Sequence, residues 1–317
     1  MRFEAKKVAL SRIRLSDETY RITTNSTFDD LSLSIHQIGL VIPPILVRKD
    51  SEFTIVCGFR RIAACCHLEY SHVRTSVLDS NTTALECIEY AIADNALQRP
   101  LNLVEKSRSY AMLSEFYPDD SSLAAAAPSL GLNDNPSFIK KIIKLCRYPE
   151  TIQNGILSGT ISLPVALDLG ELAPETVAAF AKLFSNFKLS LNKQRETITL
   201  IKEIALREAV SALDILNENG FREILDNEDL DRTQKIRNLR SHLKRRRFPA
   251  LASAEETFQM RLKKLKLGKG LKLIPPTNFE GSDYIFSLYF KNLEELKNRR
   301  ATLDNVMRDP KLKSMLD

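Results

Sequence analysis

A chain of 317 residues exceeds one ordinary core, and 44% hydrophobic with 27% charged residues excludes a disordered or fibrous composition. No apolar run approaches the roughly 18 residues that cross a bilayer, and Glu4, Lys6 and Lys7 interrupt any leader core at the start. Five cysteines (Cys57, Cys65, Cys66, Cys87, Cys146) form no CxxC and sit among apolar neighbours, which predicts buried thiols in a cytoplasmic protein without disulfides or structural zinc.

Val8, Leu10, Ile13 and Leu15 predict a short extended segment. Thr27-Phe28-Asp29-Asp30 opens a helix through Leu31, Leu33, Ile35 and Ile38, with Thr27 as its cap and Gly39 at its end. Pro43-Pro44 precedes a strand at 45–47, residues 49–52 read as a turn, and residues 53–57 as the partner strand. Gly58 then leads into Phe59-Arg60-Arg61 and a small-residue helix. A glycine between strand and helix admits backbone angles closed to other residues, and new helical N–H groups with a forked arginine donor suit a phosphate. In isolation the same residues fit a surface turn with two solvated arginines. Val73 to Leu78 predicts another strand, and Thr82 to Ala96 a helix with Ala84, Leu85, Ile88 and Ala91 inward.

From Leu101 to about Leu230 the periodicity is helical. A short apolar helix at 123–130, the turn Gly131-Leu132-Asn133-Asp134-Asn135 and a helix opened by Pro136 fit a helix-turn-helix, or any helical hairpin of an all-α domain. The second helix places Phe138, Ile142 and Leu145 on one side, leaving Ser137, Lys140, Lys141 and Lys144 for DNA. Pro149-Glu150 starts another helix, residues 155–159 turn, and Ser162-Leu163-Pro164 opens the next. Thr197 to Leu216 reads as one long amphipathic helix with Ile198, Ile201, Ile204 and Ala205 on its apolar side.

The net charge of +6 conceals its distribution. Between Arg232 and Lys272 stand 14 basic residues against Glu255 and Glu256 alone, densest at Lys244-Arg245-Arg246-Arg247. Such a belt fits a polyanion contact or a solvated linker. After it come strands near 271–274 and 284–290 and a helix capped by Asn292, a β-β-α element too small to bury its apolar residues alone, which predicts packing on the body or a dimer. No P-loop, dinucleotide fingerprint or nucleophile elbow occurs. Asp94 and Asn95 supply a carboxylate and an amide that fit Mg²⁺ over phosphates, or simply a polar helix end.

The ordered set resembles the ParB/Spo0J/RepB superfamily of partition proteins. The matching segments are LSLSIHQIGLVIPPILV at 31–47, VCGFRRIAA at 56–64, DNALQRPLNLVEKSRSYAML at 94–113 and IKLCRYPETIQNGILSGTISLPVALDL at 143–169. The second is similar to the family's G-E-R-R box and the third to its E-N-x-x-R motif. The resemblance implies an N-terminal domain that binds CTP with Mg²⁺, a helix-turn-helix domain that reads a palindromic centromere-like site, a dimerising C-terminal segment and a ParA-like P-loop ATPase partner. Carried over by position, Gly58, Arg60, Arg61 and Asn95 hold the nucleotide, and Asp94 with Asn95 stands at the metal. Phe59 occupies the position of the family's box glutamate, Asp94 that of its second glutamate, and Gln98 that of its later arginine, with Arg99 one residue on.

The expected layout is α+β and multidomain. It has a ParB-like α/β domain at 1–100, an all-α helix-turn-helix domain at 101–231, a basic linker or DNA-contacting belt at 232–272 with Lys244, Arg245, Arg246 and Arg247, and a β-β-α dimerisation element at 273–317. The expected function is sequence-specific DNA binding in plasmid or chromosome partition, as a CTP-regulated dimeric clamp at the nucleoid or a plasmid and with no membrane role. The alternatives are a ParB-like transcription regulator and a metal-dependent nuclease on the same first domain. Enzymatic activity stays open between none and weak CTP hydrolysis.

Overall fold

The hairpin of β2 (Ile45–Lys49) and β3 (Glu52–Cys57) forms where two apolar runs flank Asp50-Ser51, with Asp50 taking a left-handed φ of 56° and Lys49 facing Glu52 across the turn. β4 (His72–Leu78) runs parallel to β2 and antiparallel to β1 (Phe3–Ala9), giving a four-stranded sheet ordered β1-β4-β2-β3. The computed structural model describes residues 3–316, so residues 1, 2 and 317 of the first and last expected segments lie outside the described residues. Two compact units divide the chain at Leu191 and Asn192.

In the first unit, α1 (Asp29–Ile38) and α2 (Phe59–His67) pack together, and Ile35, Leu46, Phe53, Ile55, Ile62, Ala64 and Val77 share a buried core. Each such aliphatic or aromatic side chain contributes roughly 1.5–3 kcal/mol on burial. The N-cap of α1 is Phe28 and not the expected Thr27, whose hydroxyl instead bonds Asn25 Oδ1 at 2.8 Å. The extended segment expected at 8–15 lies earlier, as β1, which ends at Ala9 where a 3-10 turn at Leu10–Arg12 begins. α3 (Ala84–Ala96) packs on β3 and starts with a Thr83–Glu86 capping box; its inward face is Cys87, Ile88, Ala91 and Ile92, while Ala84, in the exposed first turn, points out.

Helices then follow one another: α4 (Leu103–Leu113), α5 (Asp120–Ala126), α6 (Pro136–Ile142), α7 (Glu150–Leu157), α8 (Leu163–Leu169) and α9 (Pro174–Phe187). Capping boxes at Asn102 and Asp119, and the Asn135 side chain ahead of Pro136, fix three of their starts. The turn expected from Gly155 begins later. Gly155 lies within α7, where a side chain would meet Ile161 at 2.5 Å, and Gly159 makes the turn.

The second unit contains α10 (Leu191–Glu208), α11 (Ala212–Asn217), α12 (Asn219–Asp226), α13 (Arg232–Arg247), α14 (Pro249–Leu265), a hairpin of β5 (Leu271–Ile274) and β6 (Ile285–Leu288), α15 (Leu293–Met307) and α16 (Pro310–Leu316). The single helix expected over 197–216 is two. Ala209 adopts φ 54°, Val210 N–H returns to Ala205 O, and a Ser211–Asp214 capping box begins α11. Most of the belt at 232–272 is helical, as α13 and α14. The C-terminal element closes its core on α14, through Phe258, Leu265, Leu271, Leu273, Val306 and Leu312. Ile274, Ile285, Tyr289, Phe290 and Leu293 remain exposed. Among the described residues no helix is long and apolar enough to cross a membrane.

Gly58 joins β3 to α2 at φ 90°, and a Cβ there would lie 2.9 Å from both Pro44 Cβ and Arg61 Nε. Left-handed geometry alone costs a non-glycine residue about 1–2 kcal/mol. Gly58→Ala is therefore expected to lower unfolding free energy by at least about that amount in a urea titration; an unchanged midpoint would refute the turn's dependence on glycine.

Candidate functional site

The end of β3, the start of α2 and the C-terminal turn of α3 enclose a cavity of 380 Å³. Gly58, Arg60, Arg61, Asp94 and Asn95, the five residues assigned to a nucleotide and metal from sequence, all line it, together with Phe59, Gln98 and Arg99. They converge because α3 packs on β3, which brings the end of α3 beside the Gly58 turn. Tyr20, Ile22, Thr23, Leu31 and Ile42 complete the wall. Leu31 and Ile42 belong to the matching segment at 31–47 without having been assigned to the site, while Tyr20, Ile22 and Thr23 carry no motif, the bulky apolar pattern at 20–22 being their only signal.

The two arginines do different work. Arg61 Nη1 donates to the carbonyls of Ile42 (3.1 Å) and Pro43 (3.3 Å), while Nη2 meets Asp94 Oδ2 at 3.1 Å. The guanidinium is mostly buried and ties the loop before β2 to the end of α3. Arg60 uses Nε on Thr27 O at 2.6 Å, and its terminal nitrogens have no protein acceptor among the described residues. Gly58 supplies no side-chain cap, so the first N–H groups of α2 face the cavity end without one. Forked donors beside an uncapped helix start have the chemistry that suits an anion.

Asp94 Oδ1 accepts from Gln98 Nε2 at 3.1 Å, so both of its oxygens already have protein partners. Asn95 directs its amide nitrogen to Ala91 O at 2.8 Å, which leaves one amide oxygen. A carboxylate neutralised by Arg61 and a single amide oxygen do not fit a self-standing Mg²⁺ site. Among the described residues no group of three or more His, Cys, Asp or Glu side chains is arranged to hold a metal. Burial, then the Asp94 charge, pushes the Cys57 thiol up, so it stays protonated. Burial, then Cys87, pushes the Tyr20 hydroxyl up to about 12.

Behind the cavity, Arg99 makes a bidentate pair with Glu105 at 2.7 and 2.8 Å. Glu105 is only 1% exposed, accepts from the N–H groups of Thr24 and Asn102, and so caps α4 while holding the segment before α1. Burial drives its carboxyl upward, but the Arg99 and backbone hydrogen bonds outweigh that and hold it below the ordinary range. The Asn102-x-x-Glu105 spacing carries a capping-box signature that went unread in the sequence, and its partner Thr24 carries none.

Ser137, Lys140, Lys141 and Lys144 are exposed on and just after α6, while Ile139, Ile142 and Leu145 are buried. Phe138, expected inward, is half-buried beside Lys106, because the buried row runs through Ile139. The turn ahead of α6 is pinned to α4 by Asp134, which accepts from Lys106 Nζ (2.9 Å) and Tyr110 Oη (2.9 Å). Tyr110 is fully buried.

In the second unit every member of the 244–247 cluster has an acidic partner. Lys244 meets Glu196 at 3.0 Å, Arg245 meets Glu256 at 3.3 Å, Arg246 meets Glu208 at 2.6 Å and also Glu218, and Arg247 meets Glu203 at 2.7 Å. The Glu208 carboxyl is held at about 2 by hydrogen bonds from Arg246 and Arg207. The densest run of the belt is thus matched by local carboxylates, and sequence alone did not show this.

Residues 4–96 match the family model of the ParB N-terminal domain. The chain is 29% identical over 136 residues to a nucleoid occlusion protein of Oceanobacillus iheyensis, covering 42% of this chain and 45% of that protein. It is 26% identical over 218 residues to a probable chromosome-partitioning protein ParB of Rickettsia bellii, covering 68% and 71%. To the chromosome-partitioning protein ParB of Caulobacter vibrioides it is 28% identical over 153 residues, covering 47% and 48%, so the chain spans about half the length of two of these three relatives. Among solved structures, a C-terminally truncated ParB of Caulobacter crescentus complexed to the centromeric parS site shares 21% identity over 60% of this chain and 96% of that one, with a TM-score of 0.34. The same protein complexed with CTP-gamma-S shares 22% over 57% and 98%, with a TM-score of 0.27. These superpositions are loose. The resemblance to ParB proteins is shown, most directly by the N-terminal domain.

Removing the charge of Glu105 leaves the Arg99 guanidinium without its ionic partner, while Asn102 still caps α4, so Glu105→Gln is expected to cost about 3 kcal/mol in denaturant unfolding. A carboxyl held below its ordinary value of 4.5 stabilises the fold fully above that value and loses its effect as pH falls through the lowered one. The gap between wild type and Glu105→Gln should accordingly narrow below about pH 4.5; a gap constant with pH would show that the charge is not responsible.

Proposed function

We propose that this chain is a ParB-like partition protein whose N-terminal domain binds CTP as a regulatory ligand and whose α5–α6 region reads a specific DNA site. The observation that carries the reading is the convergence of two separate sequence motifs, 56–64 and 94–99, on one 380 Å³ cavity. In that cavity the terminal nitrogens of Arg60 and the first N–H groups of α2 take the phosphates, and Arg61 holds the walls in place for them. Among the described residues the one carboxylate lining the cavity, Asp94, is engaged by Arg61 and Gln98, and Phe59 stands where the family has a glutamate. Both features favour holding a nucleotide over cleaving it.

The layout supporting this reading is an α/β domain over 1–100, helices with the DNA-reading hairpin after it, and a C-terminal β-β-α element that pairs two copies. The exposed Ile274, Ile285, Tyr289, Phe290 and Leu293 give that pairing an apolar surface. The DNA site is then palindromic, as the symmetry of a dimer requires. A ParA-like P-loop ATPase is the proposed partner, and the nucleoid or a plasmid the place of action.

Calorimetric titration of CTP, ATP, GTP and UTP tests the cavity. Selective binding of CTP is expected, weakened about 10–100-fold by Arg60→Ala, the loss of one charge-assisted contact. Arg61→Ala is expected to lower thermal stability as well, because it frees the loop before β2. Absence of binding by any nucleotide would overturn the ligand assignment.

For the DNA-reading helix, selection from a random duplex pool should yield a palindrome. Ser137→Ala and Lys140→Ala should cut the preference for it over random duplex by about tenfold each, read by fluorescence anisotropy. Equal loss on both duplexes would move the reading elsewhere.

A further inference from the structure

α6 has seven residues, too few for a stable isolated helix, and its buried row of Ile139, Ile142 and Leu145 gives apolar contact that has no direction. A slip of one residue would turn the exposed row of Ser137, Lys140, Lys141 and Lys144 by about 100°. Directional contacts must therefore set this helix, and α4 supplies them at both of its ends.

At the front end the Asp134 carboxylate accepts from Lys106 Nζ at 2.9 Å through each oxygen, and from Tyr110 Oη at 2.9 Å. Lys106 and Tyr110 stand one helical turn apart on α4, so both reach the same carboxylate. The Asp134 side chain is 15% exposed and Tyr110 is fully buried, so the contact is shielded from water. Burial, then the Asp134 hydrogen bond, pushes the Tyr110 hydroxyl up, and it remains a donor. Lys106 Nζ also lies 6.0 Å from the centre of the Phe138 ring, on the first turn of α6. At the far end the fully buried Ser107 uses its hydroxyl twice: Oγ donates to Ile143 O at 3.2 Å and accepts from Cys146 N–H at 2.8 Å. Ile143 is the residue that closes α6.

Three positions within two turns of α4 thus hold both ends of α6. They leave its exposed row unobstructed. Pairing with Lys106 also cancels a carboxylate that would otherwise repel phosphate beside the reading surface.

We infer that Lys106, Ser107, Tyr110 and Asp134 are positioning residues for sequence selection, a two-ended clamp that sets the register of α6 without touching DNA. The inference rests on the reading of α6 as the DNA-reading helix.

The full-length chain provides the test, by anisotropy on the selected palindrome and on random duplex. Lys106→Met keeps the stem and removes the charge, and Ser107→Ala removes the hydroxyl alone. These two and Asp134→Ala should each lower the preference for the palindrome about tenfold, with the salt slope on random duplex within about one of wild type. Lys106→Arg still meets the carboxylate and should stay within about twofold of wild type. In the Asp134→Ala background Lys106→Met should cost nothing further, because the two act through one contact. Amide exchange in α6 should keep its wild-type protection in every variant, which separates displacement from unfolding.

Unchanged preference in Lys106→Met and Asp134→Ala, with Ser137→Ala and Lys140→Ala still reducing it, would overturn the inference and leave the α6 reading standing. An equal fall in Lys106→Arg and Lys106→Met, or loss of α6 protection, would make these contacts merely structural and overturn it too. Wild type that prefers no sequence, or a preference that survives Ser137→Ala and Lys140→Ala, would overturn both.

Discussion

The Arg61 guanidinium is the contact on which the first domain's site depends. It reaches the carbonyls of the loop before β2 and the carboxylate at the end of α3, so two segments far apart in sequence become walls of one cavity. A lysine could not replace it, because a point charge lacks the fork that spans two carbonyls and a carboxylate together. The same engagement explains why adjacent arginines have separate tasks. Arg61 shapes the cavity, and Arg60, one helical position away and rotated by about 100°, keeps its terminal donors for a ligand. Behind the cavity Glu105 has the corresponding role, where a single buried carboxylate joins Arg99, Thr24 and the cap of α4.

Charge in the second unit follows a different logic. Surface ion pairs individually contribute little, on the order of 0–1 kcal/mol, but the row from Glu196 to Glu208 along α10 meets Arg240, Lys244, Arg246 and Arg247 of α13 as a continuous seam. Such a seam removes the local field that a polyanion would feel. What matters for a long-range partner is therefore the uncompensated charge, and a count of basic residues does not measure it.

Much of the fold was legible because its determinants are local. Asp50-Ser51 between apolar runs gave the hairpin, Gly58 gave the strand-to-helix turn, and Asn135-Pro136 and Asn292 gave helix starts. The cavity's motif residues were legible from the order of the matching segments. What failed was non-local. Sequence periodicity over 197–216 did not reveal the left-handed Ala209, which has no side-chain signature. The run at 244–247 read as an open cationic belt because Glu196, Glu203 and Glu208, three of its partners, stand about 40 residues earlier on another helix. The spacing of Glu196, Glu203 and Glu208 was the available signal, an acidic stripe on a long helix awaiting a basic one. The engagement of Asp94 was hidden for a related reason: its carboxylate has no partner in the sequence but is held in the fold by Arg61 and Gln98.

Amide hydrogen exchange with and without CTP addresses the central claim most directly, because it locates the ligand rather than merely detecting it. The account predicts slowed exchange at the first turn of α2, residues 59–61, and at 94–99, with α13 unaffected. Protection confined to other segments, or none at saturating CTP, would contradict it.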